Sequence, residues 1–156
     1  MNIYFKQATA NHAEIIGAMV VELTREICNL THTQHFAIDL QETIQQSAVL
    51  IEDGHYSAVV GFLDGEAIAL ATMSQTYALY AGGKVAQVQE FYVAPEYRTT
   101  GIGSLLLEQV KEQARLRGCV CIELCTPPLP AFERSVTFYQ KNGLKLVGGR
   151  KMRLEL

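Results

Sequence analysis

The chain has 156 residues, enough for one domain that buries about 70% of its unfolded surface and needs neither disulfide nor metal to fold. Hydrophobic residues make up 49% and charged residues 19%, a globular balance, and no apolar run approaches the ~20 residues that cross a bilayer. A net charge of -3 argues against a sequence-independent nucleic-acid binder, and Cys28, Cys119, Cys121 and Cys125 contain no Cys-x-x-Cys pair of the zinc or redox kind.

A strand-like segment opens the chain at residues 3–7. It starts almost at Met1 and leaves no room for a basic, then apolar, signal sequence, so a cytoplasmic protein without a membrane partner is expected. Ile15, Met19, Leu23 and Ile27 recur every four residues, flanked by Ile16 and Val20, and predict an amphipathic helix over 11–29. Asn11 and Glu14 have the spacing of a capping box at its start, and Asp39 with Glu42 repeats that spacing before a shorter helix ending near residue 47. The polar connection 30–38 carries His32 and His35.

The period then changes to strands. Runs at 56–63 and 66–75 flank Asp64-Gly65, a hairpin dipeptide, and a third run covers 85–93 after a loop at 77–83. Ile102, Leu105, Leu106, Val110 and Ala114 mark one face of a long helix that Gly118 caps, and a strand follows at 119–126. Pro127, Pro128 and Pro130 break the chain before a helix over 131–142 that Gly143 closes. Two short strands, 144–147 and 151–156, are expected to finish the domain, because Met152, Leu154 and Leu156 alternate with Lys151, Arg153 and Glu155. The order β-α-α-β-β-β-α-β-α-β-β describes a single α/β domain over 1–156, a mixed sheet with helices on both faces. Its crossover helix makes 85–93 and 119–126 parallel.

The segment from Gln89 to Ser104 reads as a strand, a turn and the start of a helix, and the turn carries Arg98-x-x-Gly101-x-Gly103. Two glycines let the backbone approach a ligand, the first helical turn offers free N–H groups, and Arg98 adds positive charge. Together these describe a pyrophosphate cradle. The third glycine of a dinucleotide fold and the Gly-Lys-Ser/Thr of a Walker loop are both missing.

With this segment and its element order, nearly the whole chain resembles the GCN5-related N-acetyltransferase (GNAT) superfamily. The resemblance implies that Arg98, Thr99, Thr100, Gly101, Ile102 and Gly103 hold the pyrophosphate of acetyl-CoA as co-substrate, with Ser104 as a further donor. It also implies that a bulge at Phe91, Tyr92 and Val93 just before Pro95 presents backbone groups to the pantetheine arm. The later stretch Glu133 to Leu144 is similar to the family's helix ending in Tyr-x-x-x-Gly, which nominates Tyr139 to protonate the departing CoA thiolate. The chain departs from that pattern at Phe132, where many relatives carry Asn.

An amine with a pKa near 10.4 arrives protonated, so transfer needs a base. Glu90 opens the bulged segment, where several relatives place an acid that binds or deprotonates the amine, and partial burial is expected to raise its pKa. Strand alternation sets Glu90 and Tyr92 on one face and Phe91 and Val93 on the other. The family's acceptor loops correspond to the regions of His32 and His35 and of Tyr77 and Tyr80, which are expected to contact substrate. Two histidines without a third ligand do not make a metal site. The function expected is acetyl transfer to a primary amine of a small molecule, by direct attack in a ternary complex. Acetylation of a protein or charged-tRNA amine, or a non-catalytic acyl-CoA-binding module, are the alternatives. Relatives commonly dimerise, and the C-terminal strands would suit a homodimer.

Overall fold

The computed structural model describes residues 2–33 and 37–156. Five strands, β1 (Ile3–Gln7), β2 (Tyr56–Leu63), β3 (Glu66–Ala78), β4 (Gly83–Val93) and β5 (Cys121–Leu124), form one sheet in the order β1-β2-β3-β4-β5. The first four are antiparallel neighbours, and β5 runs parallel to β4 after a helical crossover. Helices α1 (Ala13–Thr31) and α2 (Leu40–Glu52) cover one face. Helices α3 (Ile102–Leu116) and α4 (Glu133–Lys141) lie on the other.

Strand periodicity sorts the core into two layers. Val59, Ala71, Met73 and Val88 meet Leu106, Leu107 and Val110 of α3, whereas Ala58, Val60, Leu70 and Tyr92 meet Ile16, Met19 and Val20 of α1. The hairpin joining β2 to β3 turns at Asp64 (φ 49°) and Gly65 (φ 87°), with both central residues left-handed, as a turn matched to strand twist requires. Asp39 caps α2, its Oδ1 accepting the Glu42 N–H at 2.9 Å.

The structure corrects three expectations. Asn11 and Glu14 do not cap α1. Thr9 and His12 make the reciprocal pair two residues earlier, Thr9 Oγ accepting the Asn11 N–H and His12 Nδ1 the Thr9 N–H, because a 3-10 turn precedes the helix. The bulge falls at Gln89 instead of just before Pro95: Thr72 pairs with Glu90 and Met73 with Val88, leaving Gln89 unpaired. The strands expected at 144–147 and 151–156 are absent. Gly148 and Gly149 do adopt turn geometry, at φ 88° and 87°, but Leu146, Val147, Met152, Leu154 and Leu156 are exposed. Alternation says which face a strand would bury, and a strand forms only where an edge and a covering layer receive it. The receiving edge here, β5, is four residues long.

Candidate active site

The turn after β4 is built to present backbone N–H groups. Thr99 at φ 65° and Gly101 at φ 90° both take the left-handed conformation, and a Cβ added at Gly101 would meet nothing within 4 Å. Gly101 therefore serves the turn's shape and not its packing. The first α3 bond runs from the Leu105 N–H to the Gly101 carbonyl at 3.2 Å, so the N–H groups of Ile102, Gly103 and Ser104 have no carbonyl behind them in the helix. With the positive end of the helix dipole they can hold an anion. Gly103 also lets α3 and α4 touch, since a Cβ there would stand 3.1 Å from the Phe138 ring. Thr100 donates its hydroxyl to the Tyr97 carbonyl at 2.5 Å.

Arg98 leaves the turn for α1. Its Nη1 and Nη2 donate to the two carboxylate oxygens of Glu26 at 2.5 and 2.8 Å, Nε donates to the Val93 carbonyl at 2.8 Å, and the guanidinium sits 5.7 Å from the Tyr92 ring centroid. The ion pair raises the Arg98 pKa further. In this arrangement its charge ties the turn and β4 to α1.

The edge of β4 opens shortly before this turn. Pairing with β5 ends at Val88 opposite Leu124, whereas β4 continues to Val93, so the later residues of β4 have no β5 partner on that side. At the bulge the backbone turns Glu90 toward the α1–α2 face. There the Thr72 hydroxyl, fully buried, accepts the Glu90 N–H at 3.0 Å and donates to its carboxylate oxygen Oε2 in a short bond. Burial raises the Glu90 pKa, and the Thr72 hydrogen bond partly opposes that rise. Tyr56, the first residue of β2, is close enough for the Glu90 charge to add to the upward shift that burial gives its phenol.

Glu90 lies in the wall of a cavity of about 500 Å³ between α1, α2 and the sheet, which Tyr56, Thr72 and Gln89 also line. That volume suits a small organic ligand. On the other face, Phe91 meets Tyr139 edge-on at 5.8 Å between ring centroids, and Phe138 contacts both. Burial there pushes the Tyr139 phenol up to about 12.

Glu90, Phe91, the Thr99–Ser104 turn and Tyr139 thus gather around the open edge of β4. The remaining residues sit elsewhere. Tyr92 is buried beneath Arg98, and the Val93 carbonyl is occupied by Arg98. His32 ends α1 at φ 53°, exposed, and lines an outer depression that adjoins the cavity and does not include Glu90. His35 lies outside the described residues. Tyr77 and Tyr80, expected to contact substrate, are exposed at the far end of the β3–β4 hairpin, where Tyr77 pairs with Lys84. Lys84 lies six positions before Glu90 along β4, about 20 Å of strand. Tyr80 instead donates weakly to Glu123 at 3.4 Å. Phe132 precedes α4 without a side-chain cap. Sequence reasoning missed Thr72, Tyr56 and Glu26. Thr72 had a signal, a hydroxyl in the middle of the apolar run Ala69-Leu70-Ala71-Thr72-Met73, whereas the other two had none. Among the described residues no group of three or more His, Cys, Asp or Glu side chains is placed to hold a metal. No described helix is long and apolar enough to cross a membrane.

Over 75 residues the chain is 33% identical to a glucosamine 6-phosphate N-acetyltransferase of Trypanosoma brucei brucei, covering 48% of this chain and 47% of that protein. It is 34% identical over 67 residues to an uncharacterized N-acetyltransferase of Archaeoglobus fulgidus, covering 42% and 46%. The matched stretches span about half the length of those relatives. Among solved structures, the aminoglycoside N-acetyltransferase AAC(6')-Iy in complex with CoA superimposes with a TM-score of 0.81 at 17% identity, over 99% of this chain and 95% of that one. A ribosomal-protein-alanine N-acetyltransferase of Brucella melitensis biovar Abortus 2308 gives 0.74 at 14% identity, over 99% and 100%. At such identities these two speak for the fold. The model of the acetyltransferase (GNAT) family matches residues 11–144, a span that takes in β4, the turn after it and α4, and the chain belongs to that family.

Proposed function

We propose that this protein moves the acetyl group of acetyl-CoA onto a primary amine of a small molecule, by direct attack within a ternary complex. The observation that carries the reading is the placement of Glu90 and Tyr139. Glu90 faces the cavity on one side of β4, while Phe91, the next residue, touches Tyr139 on the other. An acceptor in the cavity and a thiolate beside Tyr139 are then separated by the unpaired edge along which a pantetheine arm can lie. The backbone N–H groups of the Thr99–Ser104 turn receive the pyrophosphate.

In this reading Glu90 takes the proton that frees the amine's lone pair. The N–C bond forms at the thioester carbonyl, the C–S bond breaks, and the second nitrogen proton passes through solvent to the departing thiolate, which leaves as free CoA thiol. Tyr139 donates a hydrogen bond to the sulfur as negative charge grows there. Walls on three sides of the cavity favour a small molecule over a protein terminus or a charged tRNA. The exposed apolar residues of 144–156 support a homodimer, which sedimentation would test.

The test has two arms. Acetyl-CoA at one hundred times its dissociation constant should stabilise the fold by about 2.7 kcal/mol. Release of free CoA thiol should then depend on an added primary amine. Binding without release for any amine would make the protein an acyl-CoA-binding module.

A further inference from the structure

The walls of the Glu90 cavity select among amines, and resting on the function above, we infer that the acceptor is a primary amine on an apolar, alkyl or arylalkyl, body. Ile16, Leu23 and Ile27 of α1, Ile38 before α2, and Leu50 and Ile51 of α2 are the largest of its aliphatic lining residues. The carboxylates in its wall are Asp39, Glu42 and Glu90, and among the described residues lining it none is Lys, Arg or His. Arg25 and His32 belong to the adjoining outer depression. A cation is welcome in this cavity. Among the described residues lining it, a phosphate has no cationic side chain to pair with.

The hydroxyls in the wall point the same way. Thr24 donates to the Val20 carbonyl at 2.8 Å, Thr43 to the Asp39 carbonyl at 2.6 Å, and Ser47 to the Thr43 carbonyl at 2.7 Å. The Asp39 carboxylate is engaged by the Glu42 N–H, the Gln89 amide donates to Ser74, and Thr72 is committed to Glu90. Apart from the Tyr56 phenol and the Gln46 amide, which also line the cavity, the donors named here are already given to the protein's own groups, which leaves few for a sugar's ring of hydroxyls. A sugar's ring of hydroxyls outnumbers the groups left to bond it, and each hydroxyl that loses water without replacement costs free energy, whereas each methylene placed against the aliphatic lining gains. The preference is a balance of these two.

The purified full chain with acetyl-CoA and the series propylamine, butylamine, pentylamine and hexylamine, read by CoA-thiol release, tests it. Each added methylene should raise kcat/KM about fourfold, the transfer free energy of one buried CH₂. Phenethylamine should match hexylamine, and glucosamine and glucosamine 6-phosphate should fall at least about 100-fold below both. Leu23→Gln should lower kcat/KM for hexylamine more than for propylamine, with the acetyl-CoA thermal shift retained as evidence of folding. A flat or falling alkyl series, or amino sugars turned over as well as hexylamine, overturns the inference while leaving acetyl transfer standing. Acetyl-CoA binding with no release for any amine overturns both.

Discussion

Replacing Tyr139 by Phe distinguishes a protein that protonates the leaving thiolate from one that only hydrogen-bonds it. Burial among Phe91 and Phe138 pushes the phenol up to about 12, against about 8.5 for an ordinary thiol. Full transfer of the phenolic proton to the thiolate is then uphill by ~3.5 pKa units, about 5 kcal/mol at 1.36 kcal/mol per unit. On the proposed mechanism the proton then stays on oxygen, and Tyr139 would supply a hydrogen bond to an anion, worth about 1.5–3 kcal/mol. Turnover in Tyr139→Phe should fall about 10- to 100-fold, with acetyl-CoA affinity unchanged, because the charge on sulfur exists only on the way to products. Phenylalanine fills the same space, and among the described residues the Tyr139 hydroxyl has no hydrogen-bond partner, so stability should hardly move near neutral pH. At high pH it should differ. A phenol raised in the folded state adds stability that is present below pH ~10 and is lost as pH climbs through about 12, and the variant lacks that loss. Steady-state kcat from pH 7 to 10, calorimetric titration of acetyl-CoA, and melting of both proteins from pH 7 to 12 read all of this. An alkaline limb near pH 9 in the native enzyme that vanishes in the variant would show a phenol acting as a true acid. A change confined to KM would reduce Tyr139 to packing.

Glu90→Gln should lower turnover about 100-fold with an alkylamine, and less with an amine already neutral at the assay pH. The same variant should be more stable than the native protein at pH 8. A carboxyl whose pKa is raised by burial gives stability present below its unfolded value near 4.3 and lost as pH rises through the folded one, so melting at pH 8 and pH 4 checks the sign. Thr72→Val removes the bond that holds the Glu90 pKa down, so the acidic limb of the rate profile should move to higher pH, and Thr72→Ser should restore it. The valine variant also orphans the Glu90 N–H at the bulge, at about 1–3 kcal/mol of stability. Gly101→Val, a β-branched residue forced to φ 90°, should abolish the acetyl-CoA thermal shift, whereas Arg98→Ala should cost about 1 kcal/mol of stability and leave most of the affinity. Equal loss of binding in the two variants would return the guanidinium to the cradle.

How far the chain could be read depended on whether a feature's cause lay close along it. Asp64-Gly65 and Asp39 act within four residues, and both sit where their chemistry placed them. The glycine turn before α3 is equally local. Arg98 illustrates the opposite case: a guanidinium beside a helix start suggests an anion ligand, and only folding brings Glu26, 72 residues earlier, within 2.5 Å of it. The C-terminal alternation failed for a related reason, since a local pattern cannot make the edge it would have to pair with. Glu90 combines both cases. Alternation places it with Tyr92, but it also places Val88 on that side, and Val88 packs in the α3 layer while Tyr92 packs in the α1 layer. The parity changes at Gln89. Without that one extra residue, Met73 opposite Val88 would put Thr72 opposite Gln89, and Glu90 would follow Val88 into the α3 core. The insertion brings Glu90 opposite Thr72, turns it into the cavity, and falls directly after the last β4–β5 pair. A single bulge residue therefore sets where Glu90 points and lies where the edge of β4 becomes free, which joins the side proposed for the acceptor to the side proposed for the cofactor.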